Sequence, residues 1–319
     1  MKISICIPVY NGSKTIYTLI KRLNECFQSY DFEIVLVNDG SKDNSSEVCR
    51  QISEEYSFVK FIDLRRNYGE HNAVMCALNY CTGDYAAIID DDLQNPPEEI
   101  LKLIEESEKG FDVVYAKYHK KKHSWFRNLG SKVNDIFATW LLEKPKNLYL
   151  CSFKVIRRAI IDEIIDEIIK YKGPFPYIDG LILRVTNNIS SVYVVHEDRK
   201  EGKSNYTFSK LLNLYLSMFV NFSIKPMRLM IMIGFIILIL ALFAGVCAIT
   251  ERLLHPEITQ GWASLIVVIL FFGGLHSVFT GLIGEYIGKN YLDENGTPQY
   301  CVKQEFLNSE RLTKNERKI

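Results

Sequence analysis

Apolar and polar positions change period repeatedly along the chain, and each change predicts an element. The apolar, β-branched run KISICIPV predicts a strand over 2–8. Asn11-Gly12-Ser13 break it and offer a helix cap, with a helix running to about residue 29. FEIVLVND predicts a second strand over 32–39, ended by Asp39-Gly40-Ser41. A helix over 43–55, a strand over 58–63 and a helix over 69–81 follow, the last with Ala73, Val74, Ala77 and Leu78 on one face. DYAAIID, 84–90, is apolar nearly throughout, as a strand buried on both faces is. Pro96-Pro97 open the next helix, and a strand over 111–116 comes after it. Strands alternating with helices predict an α/β fold, a mostly parallel sheet with flanking helices. Ligands meet such sheets at the carboxyl ends of the strands. The polar signals gather there: Tyr10-Asn11 after the first strand, Asp39-Gly40-Ser41 after the second, Asp90-Asp91-Asp92 after the fourth.

Beyond residue 205 the pattern changes. Leu211, Leu212, Leu214, Tyr215, Met218 and Phe219 recur at helical spacing among polar residues, so 206–225 is expected to be an interfacial amphipathic helix. A helix packed on the soluble domain is the alternative, since amphipathicity alone does not separate the two. Leu229 to Ile249 is then a run of 21 residues without a charge, and Trp262 to Gly284 a second of 23. At about 1.5 Å per residue each covers a hydrocarbon core of roughly 30 Å. The short link between them predicts a transmembrane hairpin within 226–288, spans about 229–249 and 262–284. Lys210, Lys225 and Arg228 precede the first span and Lys289 follows the second, whereas the link carries only Arg252. The positive-inside rule therefore puts both termini, the domain over 1–205 and a tail over 289–319 in the cytosol, with the chain multi-pass in the membrane.

Charge and cysteine usage narrow the class. The 38 basic residues balance the 38 acidic ones, which gives no footprint for nucleic acid. Eight scattered cysteines with no C-x-x-C pair fit a reducing compartment and argue against a disulfide framework or a zinc site.

The sharpest chemistry lies in Asp90-Asp91-Asp92. Alternation at a strand end puts Asp90 and Asp92 on one side, with Gln94 nearby as a neutral oxygen ligand; this set suits Mg²⁺ or Mn²⁺ bridging a diphosphate. A solvated acidic turn is the plainer alternative, but like charges clustered there are costly without a counter-ion. Asp39 is placed to accept hydrogen bonds from a nucleobase edge and Tyr10 to stack beside the base, though Asp-Gly-Ser alone also marks a plain turn. KYHKKKHSWFR, 117–127, puts five cations and two His in eleven positions, and Arg199, Lys200 and Lys203 form a second basic group. Both suit phosphates or anionic headgroups. A phosphate-monoester nucleophile is largely dianionic at neutral pH and needs positioning cations more than a strong base. Arg127 and Arg199 are therefore expected to outweigh any base; Asp179 is the best base or orienting carboxylate, with a helix cap as its equal alternative.

Taken together, Pro8-Val9-Tyr10-Asn11, Asn38-Asp39-Gly40-Ser41, Arg65-Arg66-Asn67-Tyr68-Gly69, the run Asp90 to Glu98, Ser152-Phe153-Lys154 and the run Arg199 to Tyr206 resemble family 2 glycosyltransferases of the GT-A fold. The branch that they look like loads a sugar onto a polyprenyl phosphate. Tyr177-Ile178-Asp179 and Ser204-Asn205-Tyr206-Thr207 look nearest to its members that transfer 4-deoxy-4-formamido-arabinose. The resemblance implies a metal at Asp90, Asp92 and Gln94, and nucleotide-sugar contacts at Pro8, Tyr10, Asn11, Asp39, Asp90 and Asp91. It implies acceptor-phosphate contacts at Arg127, Ser152, Arg199, Lys203 and Asn205, and catalytic roles for Asp92, Arg127 and Asp179. It also implies inverting transfer from a nucleotide sugar, UDP by the two-span relatives, to undecaprenyl phosphate for cell-envelope glycan or lipopolysaccharide, and a homotetramer. The chain departs from the family pattern at Asn38, often Asp; at Gly12, often Glu; and at Asp91, often Ala.

Two other functions share the fold. A processive polysaccharide synthase carries Gln-x-x-Arg-Trp, and Trp125, Trp140 and Trp262 all lack a preceding Arg. A non-catalytic membrane scaffold would tolerate loss of the aspartates, yet Asp90, Asp92 and Gln94 are kept. A dinucleotide oxidoreductase would need G-x-G-x-x-G where the chain has PVYNGSKT.

Overall fold

In the computed structural model, residues 1–118, 139, 144–145, 148–158, 176–197, 225–254 and 261–307 are described. The chain divides into two compact units, Met1–Asn205 with Gly296–Ile319, and Tyr206–Asn295.

The first unit opens with β1 (Lys2–Val9), α1 (Ile16–Phe27), β2 (Asp31–Asn38), α2 (Ser45–Glu55), β3 (Val59–Leu64), α3 (Glu70–Tyr80), β4 (Tyr85–Ile88), α4 (Glu99–Glu108) and β5 (Val113–Tyr118). Each expected element is present, with ends moved by a few residues. Strand β4 stops at Ile88 because Asp90–Leu93 turn away from the sheet, and Leu93 takes a left-handed φ of 62°. Helix α1 begins at Ile16, later than the expected cap: the Ser13 hydroxyl bonds across to Asp43 Oδ2 (2.7 Å), and the Gly12 carbonyl accepts from the Thr15 and Ile16 amides. β6 (Lys154–Arg157), α5 (Ile178–Val185), β7 (Ile189–Val194) and β8 (Val302–Phe306) complete the unit.

Within the described residues the sheet order is β7-β5-β6-β4-β1-β2-β3-β8. Strands β3, β2, β1 and β4 run parallel, β6 is antiparallel between β4 and β5, and β8 is antiparallel on β3. Strand β1 lies between β2 and β4, so the order reverses there and a crevice opens at the carboxyl edge. Strands β1 and β2 are buried from Ile3 to Val9 and from Glu33 to Asn38, as strands covered on both faces must be. Ile16, Leu19, Ile20, Leu23 and Phe27 on α1, and Ile100, Leu103 and Ile104 on α4, recur at 3, 4 and 7 and pack into the same core. All eight cysteines are free thiols.

The second unit holds α6 (Lys225–Leu254) and α7 (Trp262–Glu294), of 30 and 33 residues. Ile231, Phe235, Leu240, Phe243, Phe271 and Val278 are all exposed on them. Counted over the described residues alone, no helix is long and apolar enough to cross a membrane; several side chains inside both helices are not among those described. The expected interfacial helix, up to residue 224, lies outside the described residues.

Candidate active site

Asp90, Asp91 and Asp92 follow β4 at the carboxyl edge, beside the end of β1. A turn, rather than the pleat of the strand, sets their directions. Asp90 Oδ2 accepts from the Ser152 hydroxyl (2.5 Å), and Asp92 Oδ1 from the Gln94 amide (3.1 Å). Asp91 Oδ2 turns to the first loop and accepts from the Tyr10 amide (3.3 Å). A left-handed leucine costs about 1 kcal/mol and persists where surrounding structure over-determines it; here Leu93 folds the turn that brings Gln94 back to Asp92.

Behind the aspartates lies a charged group that the periodicity did not reveal. Lys154, at the start of β6, is buried and paired with Asp179, which opens α5 and also accepts from the Tyr115 hydroxyl (2.8 Å). Asp179 is not a helix cap, since Tyr177 holds that place. Both of its described bonds orient it inside the protein. Glu70, in the first turn of α3, keeps contact with solvent, yet burial and the charges of Asp90, Asp179 and Asp92, opposed by Lys154, push its carboxyl up to about 7. Burial pushes the His71 imidazole down to about 4, so the ring is neutral where it packs edge-on against Tyr177. Lys154 entered the sequence reading only within the Ser152-Phe153-Lys154 stretch of the family resemblance, because its partners lie 25 and more residues away.

Asp39 is 2% exposed, and its carboxylate oxygens accept from the Tyr68 (2.7 Å) and Gly69 (2.9 Å) amides. Burial raises its pKa against those two bonds. It thereby fixes the Arg65–Gly69 loop at the same edge, where the Arg66 guanidinium lies 4.8 Å from the Tyr68 ring centre. Gly40 is required there: its φ is +59°, and a Cβ would overlap the Arg66–Asn67 backbone. Opposite, Tyr10 is exposed, and Asn11, at φ 56°, donates its amide to Ser41 Oγ (2.9 Å) and accepts the Lys42 amide at Oδ1 (2.9 Å). Pro8 sits in β1, register-paired with Val37. Thus Pro8, Tyr10, Asn11, Asp39, Asp90, Asp91, Asp92, Gln94 and Ser152 share one edge. Arg127, Arg199, Lys203 and Asn205 lie outside the described residues. No group of three or more His, Cys, Asp or Glu placed to hold a metal occurs among the described residues.

The profile of glycosyl transferase family 2 matches residues 4–165, the stretch that carries this edge. The chain belongs to glycosyl transferase family 2. Among curated family 2 relatives, the undecaprenyl-phosphate 4-deoxy-4-formamido-L-arabinose transferases of Proteus mirabilis and Serratia proteamaculans are each 34% identical over 309 residues, 95% of this chain and 93% of theirs. Among solved structures, glucosyl-3-phosphoglycerate synthase from Mycobacterium tuberculosis, in complex with Mn²⁺, uridine-diphosphate-glucose and phosphoglyceric acid, aligns with a TM-score of 0.50 at 17% identity. That alignment covers 68% of this chain and 78% of that one. It agrees with the GT-A-like α/β sheet, and membership of family 2 makes this chain a glycosyltransferase by descent.

Proposed function

We propose that this family 2 transferase moves a 4-deoxy-4-formamido-arabinose-type sugar from its uridine diphosphate to undecaprenyl phosphate at the cytosolic face of the inner membrane, supplying lipopolysaccharide modification. The observation that carries the proposal is the 34% identity across 95% of the chain, which spans the edge residues and both long helices. The exposed apolar side chains of α6 and α7 support lipid contact, because soluble surfaces rarely leave such patches open.

The donor diphosphate would lie at Asp90 and Asp92, with the base between Tyr10 and the loop that Asp39 holds. Two carboxylates and the Gln94 side-chain carbonyl would each offer oxygen, the donor chemistry of a hard cation. Negative charge gathers at this edge: after burial, the charges of Asp90, Asp179 and Asp92 add to the push that takes the Glu70 carboxyl up to about 7. Asp90, Asp92 and Gln94 would therefore hold Mg²⁺ or Mn²⁺, which when bound supplies Lewis-acid stabilisation to a departing diphosphate. An oxygen of the acceptor phosphate forms the new bond to the anomeric carbon from the side opposite the nucleotide. The bond from that carbon to the β-phosphate oxygen breaks, UDP departs with the electron pair, and configuration inverts. A dianionic nucleophile has no proton to surrender, so Asp179 serves as an orienting carboxylate held by Lys154 and Tyr115. Arg127 and Arg199 are the cations proposed to meet the lipid phosphate.

The detergent-solubilised enzyme, offered a panel of nucleotide sugars with Mn²⁺, is expected to release UDP only when a polyprenyl phosphate is added. Asp92→Ala is expected to lower that release about a thousandfold or more while the protein still folds. Near-normal transfer by Asp92→Ala, or sugar accumulating as a polymer, would overturn the assignment.

A further inference from the structure

Two lines of polar contacts run from the segment after α7 into the proposed donor site. The first starts at Lys303 in β8, whose Nζ donates to Asp63 Oδ2 (3.0 Å). Asp63 Oδ1 accepts from Asn38 Nδ2 (2.7 Å), Asn38 Oδ1 from the Ser41 hydroxyl (2.5 Å), and Ser41 Oγ from the Asn11 amide (2.9 Å). Asn38 and Asp63 are 1% and 2% exposed, so the middle of this line is sealed from water. The second starts at Cys301. Its carbonyl accepts from the Arg65 amide (2.9 Å), and its thiol raises the pKa of the neighbouring Tyr68 phenol. The amides of Tyr68 and Gly69 then hold Asp39. One line ends on the Tyr10–Gly12 loop and the other on the Arg65–Gly69 loop, the two walls proposed to take the base.

We infer that residues 300–306 belong to the donor-binding apparatus, with Cys301 and Lys303 as positioning residues for the nucleotide base; this rests on the donor site proposed above. Strand β8 adds little apolar burial, since Lys303, Gln304 and Glu305 are exposed and Phe306 alone stacks, on Phe61 at 5.7 Å. Its bonds are polar and end in the site loops. Asn38, where the family pattern has Asp, suits this line: its amide donates to Asp63 and accepts from Ser41, which a second carboxylate could not do. The segment lies far outside the stretch that the family profile matches, 4–165.

The test is calorimetric binding of UDP with Mn²⁺ to the detergent-solubilised full chain, alongside steady-state kinetics. Lys303→Met and Cys301→Ala are each expected to weaken UDP and raise the donor KM about three- to tenfold, with the KM for undecaprenyl phosphate unchanged; Lys303→Arg is expected to restore the donor KM. Lys303 is half exposed, so its loss should leave the protein folded, and Cys301→Ala provides an independent probe. If the wild type binds no UDP, the donor-site proposal itself fails. If it binds UDP and both variants match it, or if both KM values rise together with a lowered Tm, the positioning role alone is overturned.

Discussion

Gly12 and Asp91 depart from the family pattern together, and the structure puts them in contact. A Cβ built on Gly12 would overlap Asp91 Oδ2, while the same carboxylate accepts from the Tyr10 amide next door. A chain with a side chain at 12 and Ala at 91 would leave that space filled from the other direction. The two residues thus read as one exchange, in which the bulk near Tyr10 comes from the aspartate motif and not from the loop. Gly12→Ala is expected to destabilise the protein by about 1–3 kcal/mol through overpacking and to weaken donor binding. In Gly12→Ala/Asp91→Ala the steric part of that cost should vanish, a coupling that thermal unfolding of the two single variants and the double would measure. Strictly additive effects would mean that the two residues do not share the space.

At the scale of elements, Glu33 shows how the amino edge is locked so that the carboxyl edge can carry loops. It sits in β2 and accepts from the Ser4 hydroxyl (2.6 Å) and the Thr82 amide (2.5 Å), and Lys60 (2.9 Å) and Lys2 (3.2 Å) pair with its other oxygen. Burial alone would raise its carboxyl, but these hydrogen bonds and the Lys60 charge hold it at about 2. A carboxyl lowered on folding stabilises the protein above its unfolded pKa near 4.5, and that stability is lost as pH falls through 2. Glu33→Gln is therefore expected to remove about 3 kcal/mol at pH 7 and to flatten the loss of stability between pH 4.5 and 2, seen in acid titrations of the full chain in detergent. The strands that this lock joins were legible in the sequence, because β1 to β5 announce themselves as apolar runs broken by turn residues. Strands β6 and β8 were not. One is four residues long and begins with a charge, and the other reads VKQEF with its polar residues outward. Their places are set by pairing with β4 and β3 across 60 and more residues, which no local period encodes. The same holds for the candidate site: Asp39, Asp179 and the aspartate run stood out, whereas Glu70 and the pairing of Asp179 with Lys154 and Tyr115 exist only once distant elements meet.

For the whole molecule, β8 constrains how the chain can thread a bilayer. The chain leaves its first unit after Asn205 and returns to it at Gly296, and β8 pairs with β3 from Phe61 to Leu64. A strand in the same sheet as residues 2–9 must be on the same side of any membrane as they are. Any membrane crossing by the segment between them must therefore come in an even number, as the proposed hairpin of α6 and α7 would provide. This argument owes nothing to the distribution of Lys and Arg and fixes only that both segments share a side; the positive-inside rule is what assigns that side to the cytosol. A reporter fused after Ile319 is expected to be active on the cytosolic side, and a single cysteine introduced in the link 255–260, in a background stripped of exposed thiols, to react with an impermeant reagent added outside. With two inserted helices, the carboxyl terminus and residues 2–9 could lie on opposite sides only if β8 left the sheet. The loss of Cys301 and Lys303 from the edge loops would then appear as weakened UDP binding in the same preparation.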